Sequence, residues 1–219
     1  MRKFYKIIIG IIIVVVLALI AIGYALKPSS PIVNEDRISN IDESLDVAKI
    51  NKEILKTVRV KDGKLNASME INDDLFKKIL KNTLVNSNNQ KLQESSVNLD
   101  QDDVIMKYPR KVGLWDTQVD VKMKAEEQDG NLVLTVHDVK LGKIKVADSV
   151  FMKKLEKMME GKSNIVSTDK NKIYVNLKSS NVSIDNIVLK DSILKVDFSL
   201  TKENLINIGG DIVGSILTF

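Results

Sequence analysis

The chain contains no cysteine among its 219 residues. A disulfide framework, a thiolate metal site and a lipid joined to an N-terminal cysteine are therefore excluded, and any exported part must owe its stability to a packed core. Histidine occurs once, at His137. Without cysteine beside it, it cannot build a zinc site or the usual nucleophile and base pair, so it reads as an exposed strand residue. Arginine is scarce: Arg2, Arg37, Arg59 and Arg110 are the only four among 33 basic residues. Such heavy use of lysine is expected of an AT-rich bacterial gene, which its base composition would test. No glycine loop is suited to cradling phosphate, because Gly209-Gly210 lacks both the lysine and a preceding strand. Neither a cofactor nor catalysis is expected.

Aromatic residues make up 5% of the chain, with one tryptophan, Trp115. Charge is equally uninformative once it is located. Of the 33 basic residues, Arg2, Lys3, Lys6 and Lys27 lie at the N-terminus, and the 29 that remain equal the 29 acidic residues, all of which follow Lys27. A neutral body with few stacking platforms lacks what nucleic-acid binding requires, so no nucleic-acid partner is expected.

What the chain does have is an uncharged run from Ile7 to Tyr24, IIIGIIIVVVLALIAIGY. As a helix it would be about 27 Å long, near the ~30 Å hydrocarbon core of a bilayer. It exceeds the ~7 to 15 residues of a signal-peptide core, so a retained anchor is expected rather than a leader cleaved near Gly23 and Ala25. The basic residues ahead of it put the N-terminus in the cytoplasm and the rest outside. The expected plan is a basic stub over 1–6, a transmembrane anchor over 7–26, a proline-containing linker over 27–36 and a single extracytoplasmic α+β domain over 37–219.

Within that domain, Ile38, Ile41, Leu45, Ile50, Ile54 and Leu55 recur at a helical period across Arg37–Val58 and predict a docked helix. Val58 to Ile71 alternates around Asp62-Gly63 as a hairpin. Asn72 then caps a helix whose stripe is Leu75, Phe76, Ile79, Leu80 and Leu84. The polar stretch Asn86–Asp103 reads as a loop, followed by a short strand at Val104 and Met106, with Pro109 as a break. Strands on either side of the Asp129-Gly130 turn follow, and the step from Val136 to Val139 breaks alternation as a bulge would. Gly142 bends the chain into a short strand and then a helix over Asp148–Glu160 closed by Gly161, with Phe151, Leu155, Met158 and Met159 along one face. Three further strands carry Ile173 to Leu177, Val182 to Leu189 and Leu194 to Leu200, the last two joined at Asp191-Ser192. In the apolar tail over 203–219, Leu205, Ile206, Ile212, Val213, Ile216 and Leu217 roughly fit a helix, while Gly209, Gly210 and Gly214 leave a strand or irregular ending open. The sum is a curved antiparallel sheet of roughly seven or eight strands packed on two or three amphipathic helices.

The anchor together with LNASMEINDDLFKKIL and DGNLVLTVHDVKLGKIKVADSVFMKKLEKM resembles the YpmS family of membrane-anchored exported proteins of Gram-positive bacteria. The likeness covers most of Leu65–Leu200 in its order of elements, and Ala147-Asp148 stands where a proline is common in that family. It implies an address and a topology, since the family has no established biochemistry. The pattern is also similar, as an analogy of fold, to small tubular lipid-binding proteins.

Two functions follow as expectations. The first is a binding module for lipid or a lipid-linked envelope molecule, lined by Leu75, Phe76, Ile79, Leu80, Phe151, Leu155, Met158 and Met159, with Met152 adding an adaptable thioether. The second is a non-catalytic scaffold that holds an envelope protein by a strand edge or by the first helix. Asp100, Asp102 and Asp103 lack the glycine and the twelfth-position glutamate of a calcium loop and read as a solvated acidic turn. Trp115 reads as a rim residue covering the sheet edge.

Overall fold

Alternation along Lys64–Asn72 shows how the chain is organised. Leu65, Ala67, Met69 and Ile71 are all buried, and the residues between them are not. In the computed structural model, which describes residues 2–42, 44–61, 64–84, 93–159, 166–175 and 182–200, this strand is one of eleven in a single antiparallel sheet. The strands are β1 (Arg59–Lys61), β2 (Lys64–Asn72), β3 (Ser96–Asp100), β4 (Asp103–Val112), β5 (Trp115–Gln128), β6 (Asn131–Leu141), β7 (Ile144–Val146), β8 (Val166–Asp169), β9 (Lys172–Val175), β10 (Val182–Lys190) and β11 (Ile193–Leu200). The helices are α1 (Arg2–Leu26), α2 (Val47–Thr57), α3 (Asp73–Leu84) and α4 (Asp148–Met159). The α+β class is therefore shown. Among the described residues no helix is long and apolar enough to cross a membrane. The side chains of α1 are described from Ile13 onward, whereas the uncharged run begins at Ile7.

The main path of the sheet is β1-β2-β11-β10-β5-β6-β9-β8. It forks at one point, and the bulge read from Val136 and Val139 is that point. Met123 pairs with Val136 and Lys122 with Asp138, which leaves His137 as the extra residue. On one side of the bulge β5 is bonded to β4, and beyond it to β10 through Val188 and Glu126. The outer edge of β6 likewise changes partner, from β9 at Leu132–Thr135 to β7 at Val139–Leu141. A bulge bends its strand and raises the local twist, so one extra residue turns the sheet and lets it wrap a core. That core joins Phe198, Leu194 and Ile184 of one arm to Val104, Val121 and Leu99 of the other.

Several expectations hold residue by residue. Asp129 and Gly130 both take positive φ, as do Asp191 and Ser192, giving two tight turns that suit the twist of hairpins. Asn72 caps α3 by accepting from the Leu75 amide at 2.9 Å. Lys61 pairs with Lys64 across the first hairpin, whose Asp62-Gly63 turn lies outside the described residues.

Others are corrected. The helix expected over Arg37–Val58 occupies only Val47–Thr57, because Asp46 caps it from the Lys49 amide at 2.9 Å. The preceding residues form two short 3-10 turns, Asn34–Asp36 and Ile38–Asn40, the second of which buries Ile38. Its docking is real, through Ile50 and Ile54, whereas Leu55 faces outward. The loop expected over Asn86–Asp103 contains β3, with Val97 and Leu99 buried. Pro109 lies inside β4 opposite Gln118. Proline is tolerated there because β3 pairs with β4 only as far as Lys107, leaving the other edge of Pro109 without a ladder to interrupt. Gly161 and the tail over 203–219 lie outside the described residues.

Candidate functional site

The two helix faces expected to line a greasy site rest on different parts of the sheet. α3 packs on β2, β3 and the second 3-10 turn, whereas α4 packs on β6 and β8. Leu75, Phe76, Ile79 and Leu80 of α3 and Phe151 and Leu155 of α4 all pack against the one core, and each is only half-buried. The side chains of Met158 and Met159 lie outside the described residues. Met152 is the most buried described residue of α4, at 4% exposure, so it closes the core rather than lining an adaptable surface. α2 makes the contrast plain, since it seals Ile54 to 1% on the same sheet.

Polar atoms beside α3 are unsatisfied. The Ile38 amide donates to the Ser95 carbonyl at 2.9 Å, tying the 3-10 turn to the start of β3. The neighbours of those two residues, Arg37 and Ser96, each carry a buried atom, Nε and Oγ respectively, without a hydrogen-bond partner. Buried polar atoms are nearly always paired, so these orphans, with a third at Asn51 Oδ1 on α2, stand out among the described residues.

The end of α1 forms a second constellation, which the sequence did not announce. The Leu26 carbonyl accepts from Thr117 Oγ1, and the Ala25 carbonyl accepts from the Lys143 amide at 2.8 Å. Gln118 extends the joint: its Nε2 donates to the Ser30 carbonyl at 2.8 Å and its Oε1 accepts from the Ile32 amide at 3.3 Å. Two glycines make the approach possible. A Cβ on Gly142, which has φ +61°, would stand 2.2 Å from the Leu26 carbonyl oxygen, and one on Gly23 would stand 2.8 Å from Trp115 Nε1. Trp115 thus lies against the last turn of α1. The available signal was Gly23 itself, a small residue in the last turn of a bulky run.

Carboxylates elsewhere are engaged in bridging strands. Asp103 Oδ1 meets His137 Nε2 and Lys124 Nζ, each at 3.0 Å. Burial pushes the Asp103 carboxyl up, but the bonds from Lys124 and His137 outweigh it and hold the group below its ordinary range. Asp197 behaves alike: burial raises it, and Ser68, Asn186 and Lys195 bring it down further. Asp120 is the opposite case, raised by burial against the pull of Gln118 and of Lys107 and Lys140. His137 sits at the bulge, 37% exposed in its side chain. Among the described residues no group of three or more His, Cys, Asp or Glu is placed to hold a metal ion.

No protein-family model matches the chain, and neither a curated protein nor a solved structure shows a significant likeness to it.

Proposed function

We propose that this chain is a membrane-anchored extracytoplasmic module that binds an acyl-bearing amphiphile, a lipid or a lipid-linked envelope precursor, along the aliphatic face of α3, with α4 supplying a second face. One observation carries the reading: Leu75, Phe76, Ile79 and Leu80 rest on the core without being sealed by it, while α2 on the same sheet seals its own stripe. The orphaned Arg37 Nε and Ser96 Oγ at the edge of that face add what an amphiphile's head group would need, a cationic side chain and a hydroxyl. The uncharged run Ile7–Tyr24 with Arg2, Lys3 and Lys6 before it supports an N-in, domain-out anchor, the arrangement that the likeness to the YpmS family also implies. Such an anchor would keep the binding face beside its ligand.

The test is native mass spectrometry of the full chain released from membranes in mild detergent. Bound lipid is expected, and it should be lost in Leu80→Asp and reduced in Leu155→Asp while circular dichroism stays unchanged. A lipid-free mass for the folded wild-type chain would sink the reading. A reporter fused after Phe219 that is active only in the cytoplasm would overturn the orientation.

A scaffold role has its own observation. β1 ends the strand path, and Val60 on it is 73% exposed, which leaves an edge on which a partner strand from an envelope protein could add. Crosslinking through Val60→Cys to a discrete envelope protein, without bound lipid, would favour that alternative.

A further inference from the structure

The hairpin between β4 and β5 ends in Gly113 and Leu114, and Leu114 is 90% exposed. A single exposed leucine is ordinary on a protein surface, so exposure alone says little. Its position says more. Trp115 lies against Gly23, and two residues further along β5 Thr117 bonds to Leu26. Strand β5 therefore runs in the same direction as α1 where the two touch, and the residues before Trp115 point back toward the apolar part of the helix. One strand step is about 3.4 Å and one helical step about 1.5 Å, so Leu114 lies roughly two helix residues below Gly23. That is the level of Ala21, inside the uncharged run.

The surroundings have the chemistry of a membrane interface. Ile20 and Leu17 of α1 are exposed apolar residues of the same run. Tyr24 and Trp115 stand at the end of the run, where amphipathic rings favour the head-group level. Lys143 lies over the Tyr24 ring, 3.4 Å from its centroid. Lys27 and Lys111 are exposed too, with Asp116 the acid opposite Lys111 in the ladder.

We propose that the Gly113-Leu114 tip is a second membrane contact: Leu114 enters the acyl layer beside α1, Trp115 rides at the interface, and Lys27, Lys111 and Lys143 meet the head groups of an anionic phospholipid bilayer. The joint at Leu26 fixes the tip at that depth, so the domain stands on the membrane in one orientation instead of swinging on a linker. This rests on α1 being an anchor.

Because the chain has no cysteine, Leu114→Cys can carry a single environment-sensitive fluorophore, with Val60→Cys as the control. Each full-length variant is reconstituted in vesicles of mixed phosphatidylglycerol and phosphatidylcholine. The label at 114 should shift to shorter wavelength and be quenched by a mid-chain nitroxide lipid at least threefold more than the label at 60. The shift should shrink in phosphatidylcholine alone, and an equal shift there would remove the lysines from the proposal. Extraction of the chain by alkaline carbonate would overturn the anchor reading. A chain that resists extraction while residue 114 stays as aqueous as residue 60 would overturn the tip contact alone.

Discussion

Helices meet this sheet in two different ways. The end of α1 is held by main-chain carbonyls, a threonine, a glutamine and two glycines that leave no room for a Cβ. α3 is held by an apolar stripe that stays half-open, and α4 by half-buried Phe151 and Leu155 beside the sealed Met152. The first contact has one geometry and fails if any atom is added. The second tolerates change, since apolar packing is non-directional and a half-buried stripe can accept another apolar surface. A fixed joint at the end of α1 and yielding faces elsewhere are what the proposed function would require, a surface held at a set height that still admits an amphiphile.

The largest effect that would sharpen this contrast is at Gly142. Gly142→Ala puts a non-glycine residue in the left-handed region and a methyl into the Leu26 carbonyl, and should cost about 3 to 4 kcal/mol from the two effects together. Gly113→Ala is the matched control. Its φ is +57° but its nearest neighbours stand 4.0 Å away, so it should cost only the conformational part, about 1 kcal/mol. Urea titration of the full chain in detergent would measure both, and amide exchange at Lys143 should accelerate only in the Gly142 variant. Equal losses in the two variants would mean that the joint is not tight.

Next in size is the difference between a sealed and an open stripe. Ile54→Ala should cost about 3 kcal/mol, as for a fully buried side chain. Leu80→Ala should cost about 1 kcal/mol, because part of that side chain already faces water. Denaturant midpoints would give the ratio. A Leu80 loss as large as that of Ile54 would make the α3 face plain core and remove the main support for a ligand. Thr117→Val comes third: it deletes the donor to Leu26 without changing shape, for about 1 kcal/mol. It should also loosen the N-terminal helix, seen as faster proteolysis at Lys27.

Much of the sheet was legible in the sequence, and the reason is local. Asp129-Gly130 and Asp191-Ser192 are turns whose residues tolerate positive φ, and Val136 and Val139 betray the bulge by their spacing. What was not legible depends on distant partners. β3 has two apolar residues, Val97 and Leu99, and β8 is Val-Ser-Thr-Asp, so neither declares itself and each exists because a neighbouring strand pairs with it. The joint was invisible for the same reason, since Thr117 and Leu26 are 91 residues apart. Leu75, Phe76, Ile79, Leu80, Phe151 and Leu155 do pack on the core, but periodicity cannot tell a sealed stripe from a half-open one, and it did not mark Met152 as the most buried of the described residues of α4.

The smallest effect concerns pH and separates the joint from the rest of the sheet by sign. Asp103 and Asp197 have carboxyls lowered in the folded state, so the stability they add is present above the unfolded value of about 3.9 and is lost as pH falls through their folded values. Asp120, two residues beyond Gln118, has its carboxyl raised by burial, with Asp138 opposing its charge and Lys107 and Lys140 favouring it. Its folded state prefers the proton, so its contribution is fully favourable below about 3.9 and declines as pH rises through the folded value. Acidification from neutral pH should therefore first strengthen the protein slightly, as Asp120 takes up a proton beside the joint, and then weaken it as Asp103 and Asp197 follow. Urea midpoints from neutral pH to about pH 3 would trace this rise and fall. Asp120→Asn should flatten only the upper limb and Asp197→Asn only the lower one. Were Asp120→Asn to leave the upper limb intact, the carboxyl next to the joint would be well solvated, and the α1 joint would be wetter than its geometry implies.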